Sequence, residues 1–278
     1  MLSYQHGYHA GNFADVLKHI VLIKALRYLK QKDKPLCYIE THAGKGLYAL
    51  TGSQAQKNKE YLNGIGCLWE VSTLPDSAMD YRDLIRTFNL SEQLTCYPGS
   101  PKIAEKLLDQ HDRIFCFEQH PGEKKALSQI LPDKKGRKII CGDGLKEIMG
   151  LLPPKERRGL ILIDPSYEIK SEYDSIPQAI QQMVKRFATG CYLLWYPVVD
   201  RQRTAHLEKL MGKYGFPETF LFELSVKPDA EESGMTACGM ILINTPWQFA
   251  DDMEIILTCL AEKLGEDDDG RYRIKQLS

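Results

Sequence analysis

Short apolar strands that end in an acid or a glycine turn, alternating with helical stretches, predict an α/β fold with a mostly parallel sheet covered on both faces. Three stretches carry most of that prediction. Residues 36–40 run into Thr41-His42-Ala43-Gly44-Lys45-Gly46, residues 114–118 end in Glu118, and residues 159–163 run into Asp164-Pro165-Ser166-Tyr167-Glu168. Each run is continuously apolar and only a few residues long, the pattern of a strand buried on both sides. The acids then fall at the carboxyl edge of the sheet, where open α/β folds bind ligands.

Taken in order, the first eleven residues are too aromatic for a solvated tail, with Tyr4, His6, Tyr8 and His9. A helix is expected from Asn12 or Asp15, with Val16, Ile20, Ile23 and Leu26 on its apolar face. It carries His19 and the basic residues Lys18, Lys24, Arg27 and Lys30, with Lys32 and Lys34 just beyond, and only Asp33 against them. Such a run is ordinarily a solvated face. Beside the aromatic arm it also suits single-stranded nucleic acid, whose bases stack on rings while cations hold the phosphates.

The first strand, 36–40, leads into the Gly44 and Gly46 turn, which is neither a P-loop nor a complete dinucleotide fingerprint. Residues 47–97 delay the next strand with two helical patterns, at 57–69 and 77–88, and read as a small helical insertion above the carboxyl edge. Ser100-Pro101 starts a helix, with Ser100 as N-cap. Further strands are expected at 114–118, 138–143, 159–164, 191–196, 219–224 and 240–244, making seven, with helices near 177–186, 201–213 and 249–264. The last strand follows its neighbour through a loop and is expected to be antiparallel.

The chain has 278 residues, 43% hydrophobic, and reads as a single domain, 1–278. Lys and Arg number 36 against 37 Asp and Glu, a net charge of -1, so no global field marks a nucleic-acid partner. The eight cysteines show no C-x-x-C pair or zinc spacing, so no metal site is expected and the thiols read as reduced. With no signal peptide and no apolar run of membrane length, a soluble cytoplasmic protein is expected.

Four strand ends thus carry groups suited to one elongated ligand: Gly44, Glu118, Asp143 with Gly144, and Asp164. Each acid has an ordinary alternative as a helix N-cap or loop charge. Their succession resembles the class I, Rossmann-like S-adenosylmethionine-dependent methyltransferase fold, and Asp164-Pro165-Ser166-Tyr167 resembles the Asp-Pro-Pro-Tyr motif of amino-methyltransferases. Read end to end, the chain resembles the bacterial 23S ribosomal RNA adenine-N6 methyltransferase family. The segments concerned include Met1-Leu2-Ser3-Tyr4, His9-Ala10-Gly11-Asn12, Ala14-Asp15-Val16-Leu17-Lys18-His19, Thr41-His42-Ala43-Gly44, Tyr97-Pro98-Gly99-Ser100-Pro101, Leu194-Trp195-Tyr196-Pro197-Val198-Val199 and Gly234-Met235-Thr236-Ala237.

The resemblance implies S-adenosylmethionine as cofactor, contacted by His19, His42, Gly44, Ser100, Glu118, Asp143, Gly144 and Asp164, with Lys18 close by. His19 and His42 also suit a second role, as satisfied core histidines. The family chemistry would have the Asp164 carboxylate and the Pro165 carbonyl accept the two hydrogens of N6, while Tyr167 stacks on the target base. Tyr4 and His6 would touch the same nucleotide. Ser166 departs from the motif by replacing its second proline. The implied partner is 23S rRNA, naked or in an early assembly intermediate, with no membrane and no obligate protein partner. Alternatives are a DNA adenine-N6 methyltransferase, a dinucleotide-binding oxidoreductase and a non-catalytic RNA-binding module.

Overall fold

A computed structural model of the chain describes residues 4–229 and 234–278. Met1, Leu2 and Ser3 of the first resembling segment lie outside the described residues. The strands are β1 Cys37–Glu40, β2 Leu47–Ala49, β3 Cys96–Pro98, β4 Arg113–Glu118, β5 Arg137–Cys141, β6 Gly159–Ile163, β7 Cys191–Val198, β8 Phe220–Ser225, β9 Ala237–Ile243 and β10 Arg271–Gln276. The α-helices are α1 Phe13–Lys30, α2 Ser53–Asn58, α3 Ile65–Trp69, α4 Asp76–Arg86, α5 Ser100–Leu107, α6 Pro121–Ile130, α7 Gly144–Glu147, α8 Glu172–Arg186, α9 Arg201–Lys213 and α10 Phe249–Leu264.

The main sheet has the order β10-β8-β9-β7-β6-β1-β4-β5. Strands β5, β4, β1, β6 and β7 pair in parallel. Strand β9 runs antiparallel between β7 and β8, as its loop connection predicts. The sheet has eight strands rather than the seven expected. The extra one, β10, lies antiparallel along the outer edge of β8. It escapes sequence reading because its residues, Arg271-Tyr272-Arg273-Ile274-Lys275-Gln276, never make an apolar run and stay exposed or half-exposed.

Both faces of the central strands are buried, and successive side chains serve opposite layers. Tyr38, Leu160, Leu162 and Leu193 face a core shared with α1, α5 and α10. Ile39, Ile161, Ile163, Tyr192 and Leu194 face the core under α8 and α9. This two-sided burial is why the strands read as unbroken apolar runs.

Helix α1 departs most from expectation. Asn12 caps it, its side chain accepting from the amides of Ala14 and Asp15 at 3.1 Å. Every residue from Ala14 to Ile23 is buried, so the helix is a core element on all sides rather than an amphipathic one. The expected basic patch is dispersed into ion pairs. Lys24 binds Asp252 of α10, Arg27 binds Asp80 of α4 at 2.7 Å, and Lys30 binds Asp112 at 2.7 Å and Asp109 at 2.8 Å.

Between β1 and α5, the two-stranded ribbon of β2 and β3 frames α2, α3 and α4. The single helix expected at 57–69 is broken at Lys59, whose φ is +53°, and at Gly64. Helix α8 starts ahead of the expected position, leaving Pro177 inside it.

On the far side of the sheet, buried Glu223 of β8 accepts from the Tyr196 hydroxyl at 2.8 Å, Arg201 at 2.7 Å and Arg273 at 3.0 Å. It thereby joins β7, α9 and β10 to β8. Replacing it by alanine strands the buried Tyr196 hydroxyl and takes one acceptor from each of two guanidinium groups, which keep Asp229 and Glu208. Glu223→Ala is expected to lower the unfolding free energy by about 2–3 kcal/mol, read as a lower urea midpoint at unchanged slope.

Candidate active site

A cavity of about 590 Å³ opens at the carboxyl ends of the central strands. It sits over β1, between β4, which follows on one side, and β6, which the chain reaches on the other side only after crossing back from β5, the switch point where open α/β sheets take ligands. His42, Ala43 and Gly44 after β1, Glu118 to His120 after β4, and Asp164 to Glu168 after β6 form its wall. The end of β7 adds Trp195, Pro197 and Val199, while α1 adds Asp15, Lys18 and His19 from above. Tyr4, His6 and His9 of the N-terminal arm close one side.

The strongest electrostatic feature is a chain of hydrogen bonds from the arm to β6. The Tyr4 hydroxyl is 2.8 Å from His6 Nδ1, and His6 Nε2 is 2.9 Å from Asp15 Oδ2. Asp15 Oδ1 is 2.8 Å from Lys18 Nζ, which donates to Asp164 Oδ2 at 2.6 Å. Asp15 also accepts from the Gly11 amide at 2.8 Å. Burial opposes the Lys18 charge, but the carboxylates of Asp15 and Asp164 outweigh it and hold the ammonium well above its ordinary range. Burial likewise opposes the Asp15 charge, and His6 and Lys18 hold that carboxyl well below its ordinary range. Lys18 is therefore a fixed cation held between two carboxyl groups, its pairing with Asp15 built into α1 by their i, i+3 spacing.

Two histidines of the wall, His19 and His42, are held neutral by burial. Burial pushes His19 down to about 3 and His42 down to about 4. His19 Nδ1 lies 2.7 Å from the Tyr97 hydroxyl, and His42 Nδ1 lies 2.8 Å from Thr41 Oγ1. Glu118 accepts from the amides of Gly44 and His120, both at 2.7 Å, and burial raises its carboxyl against those bonds. The Gly44 amide thus orients Glu118, while the φ of +59° at Gly44 suits a residue without a side chain.

The structure brings Tyr4, His6, Lys18, His19, His42, Gly44, Ser100, Glu118, Asp164, Pro165 and Tyr167 to this one cavity. Asp143 and Gly144 are not part of its wall. Asp143 instead takes its ordinary alternative role as the N-cap of α7, and Lys146 outweighs burial to hold its carboxyl low. Gly144 packs against Thr41, whose carbonyl would lie 2.3 Å from an added Cβ. Ser100 is the first residue of α5 rather than its N-cap, which is Gly99. Its hydroxyl donates to Glu40. Tyr167 has a φ of +52°, and its ring packs 4.5 Å from Tyr173 and 6.4 Å from Trp195.

Sequence reading did not single out Asp15, Glu40 or Tyr97. Glu40 is the one with a visible signal, as an acid closing a buried strand. It is fully buried, bonded by Tyr38 at 2.8 Å and by Ser100. Tyr97 gains its role through contacts that no local pattern announces, whereas Asp15 stands three residues before Lys18 on the helix, a spacing that does mark a pair.

A parallel sheet with one antiparallel strand between β7 and β8, and a ligand cavity over β1, is the class I methyltransferase fold. Residues 33–277 match the family model described as ribosomal RNA large subunit methyltransferase D, RlmJ. The chain belongs to that family. It is 43% identical to ribosomal RNA large subunit methyltransferase J of Haemophilus influenzae, over all of this chain and 99% of that one. It is 44% identical to the protein of the same name from Escherichia coli, over 95% and 94% of the two chains. Among solved structures, a Legionella pneumophila protein superposes with a TM-score of 0.87 at 39% identity, covering 96% of this chain and 98% of that one.

Burial raises the Glu40 carboxyl to about 8, from 4.5, with Ser100 and Tyr38 opposing. Between those values the folded protein holds a proton that the unfolded chain has released, so this group makes stability fall as pH rises. Glu40→Gln removes that proton uptake. Urea unfolding at pH 5 and pH 8 is expected to show wild type losing stability relative to Glu40→Gln as pH increases.

Proposed function

We propose that the protein transfers a methyl group from S-adenosylmethionine to the exocyclic N6 of an adenine in 23S ribosomal RNA. The observation that carries this reading is the Asp164 carboxylate, followed by Pro165 in the cavity wall at the end of β6 and held at 2.6 Å by buried Lys18. The cavity suits the cofactor. It offers a buried, unpartnered His19 ring nitrogen to an acceptor, the oriented Glu118 carboxylate to ribose hydroxyls, and Ala43 and Gly44 for close approach. When bound, S-adenosylmethionine supplies an electrophilic methyl on a sulfonium.

The nitrogen to be methylated is a poor nucleophile, because its lone pair is delocalised into the purine ring. Asp164 and the Pro165 carbonyl can each accept one of its hydrogens, which localises the lone pair. Lys18 occupies Oδ2 of Asp164 and leaves Oδ1 for the amino group. As positive charge develops on the nitrogen, the Asp164 carboxylate stabilises it and eases loss of the proton. Tyr167, braced by Tyr173 and Trp195, forms the stacking wall for a base taken out of its helix. Tyr4 and His6 approach the same nucleotide from the arm.

The segment 47–97 stands as an insertion that reaches the RNA around the target. Protein-free rRNA or an early assembly intermediate is the substrate form this reading favours, since the base has to be extruded. DNA adenine is the competing substrate, because Asp-Pro-x-Tyr chemistry does not itself distinguish ribose from deoxyribose.

Transfer of tritium from labelled S-adenosylmethionine to protein-free 23S rRNA, followed by nucleoside analysis, tests the proposal. Label is expected as N6-methyladenosine, with Asp164→Ala slower by at least about 10²-fold. Label on DNA alone, or an unimpaired variant, would overturn it. Ser166→Pro keeps the Pro165 carbonyl, and its rate is expected within a few-fold of wild type in the same assay.

A further inference from the structure

His19 Nε2 is a buried polar atom in the cavity wall with no hydrogen-bond partner among the described residues. The other ring nitrogen belongs to a row of three buried groups. His19 Nδ1 is 2.7 Å from the Tyr97 hydroxyl, and that hydroxyl is 3.0 Å from the hydroxyl of Tyr81. Tyr97 comes from β3 and Tyr81 from α4, so both lie in the segment between β1 and α5. Tyr81 and Tyr97 have no measurable exposure.

Two proton arrangements fit these distances. In the first, Tyr81 donates to Tyr97, Tyr97 donates to Nδ1, and Nε2 carries the ring hydrogen. In the second, Nδ1 carries it and donates to Tyr97; then either Tyr97 donates to Tyr81 and the Tyr81 hydrogen has no acceptor, or Tyr81 donates to Tyr97 and the Tyr97 hydrogen has none. The second arrangement buries a hydroxyl donor without a partner, deep in the protein and away from any ligand. The first satisfies both hydroxyls and leaves a single free donor, the Nε2 hydrogen, at the cavity wall where a ligand can accept it.

We infer that Tyr97, anchored by Tyr81, is a positioning residue that fixes His19 as its Nε2–H tautomer and so gives the cavity a neutral donor for an acceptor group of its ligand. The acceptor class is a carboxylate or carbonyl oxygen. Naming it as the carboxylate of the amino-acid end of S-adenosylmethionine rests on the functional reading above, whereas the tautomer does not. The division of labour between neighbours is physical. Lys18, next in sequence to His19, has two of its three ammonium hydrogens committed to Asp15 and Asp164, so the ring nitrogen is the uncommitted neutral donor beside it for an incoming oxygen. The ring is also held flat against Tyr97, with centroids 5.5 Å apart and planes 22° apart. Tyr97→Phe therefore deletes the hydroxyl and keeps the stack.

Long-range proton–nitrogen correlation spectra of the full-length protein, with His19 assigned through His19→Gln, read the tautomer directly. The expected result for wild type is a protonated Nε2 and a bare, hydrogen-bonded Nδ1, unchanged from pH 6 to pH 9. In Tyr97→Phe the Nδ1 resonance should move. Titration calorimetry should then show affinity for S-adenosylmethionine weaker by about tenfold, with kcat at saturating cofactor within about twofold of wild type. Tyr81→Phe should weaken it by about two- to threefold in the same assay. An Nδ1–H ring in wild type would overturn the inference, as would Tyr97→Phe binding the cofactor as tightly as wild type. If the ring is Nε2–H and wild type does not bind S-adenosylmethionine, the tautomer stands and the cofactor reading falls. Should Tyr97→Phe fail to fold, the wild-type spectrum alone decides.

Discussion

A buried ammonium has to be neutralised by something, and in this protein the something is the site. Lys18 is almost wholly enclosed, and its two anionic partners come from its own helix and from the end of the central strand β6. An unpaired cation at that depth would cost several kcal/mol, so α1 and the turn after β6 are coupled. The same pairing keeps Asp164 oriented at the cavity wall and draws His6 of the arm toward Asp15. Stability and chemistry here share one set of atoms.

The sheet supplies the frame for that pairing. Because β1 has parallel neighbours on both sides and the chain reverses direction of travel across the sheet there, the loops after β1, β4 and β6 converge without crossing. Each loop then contributes a polar group of a different kind: neutral rings after β1, an oriented acid after β4, and an acid with a cationic partner after β6. The apolar end of β7, with Trp195 and Pro197, completes the far wall. One elongated cavity with a graded polarity is the result.

How much of this was legible in the sequence follows from which interactions are local. Unbroken apolar runs closed by acids marked the central strands, and the acids at 118 and 164 are in the wall they were expected to line. Helix α1 was misread because its cations looked like a solvated face. Their partners, Asp252, Asp80 and Asp112, stand 53 to 228 residues away and leave no trace in local spacing. Strand β10 was missed for the opposite reason: a half-exposed edge strand need not look apolar. Asp143 shows the limit of reasoning from position alone, since a strand-end acid with an amide three residues on is as good a helix cap as a ligand group. Tyr97 and Tyr81 carry no local signal of a site role, and the bond from Tyr97 to His19 spans 78 residues.

The all-round burial of α1 bears on how the chain comes to be folded. This helix is synthesised well before the elements that pack on it from later in the chain, β7, β9 and α10. At about 5–20 residues per second, the interval between its emergence and that of α10 is on the order of ten seconds or more. Through that time a very apolar helix with a lysine in its middle has neither its oily neighbours nor its second carboxylate. Contacts of such long sequence separation form slowly. The Asp164 carboxylate therefore meets Lys18 only once more than half of the molecule has been made.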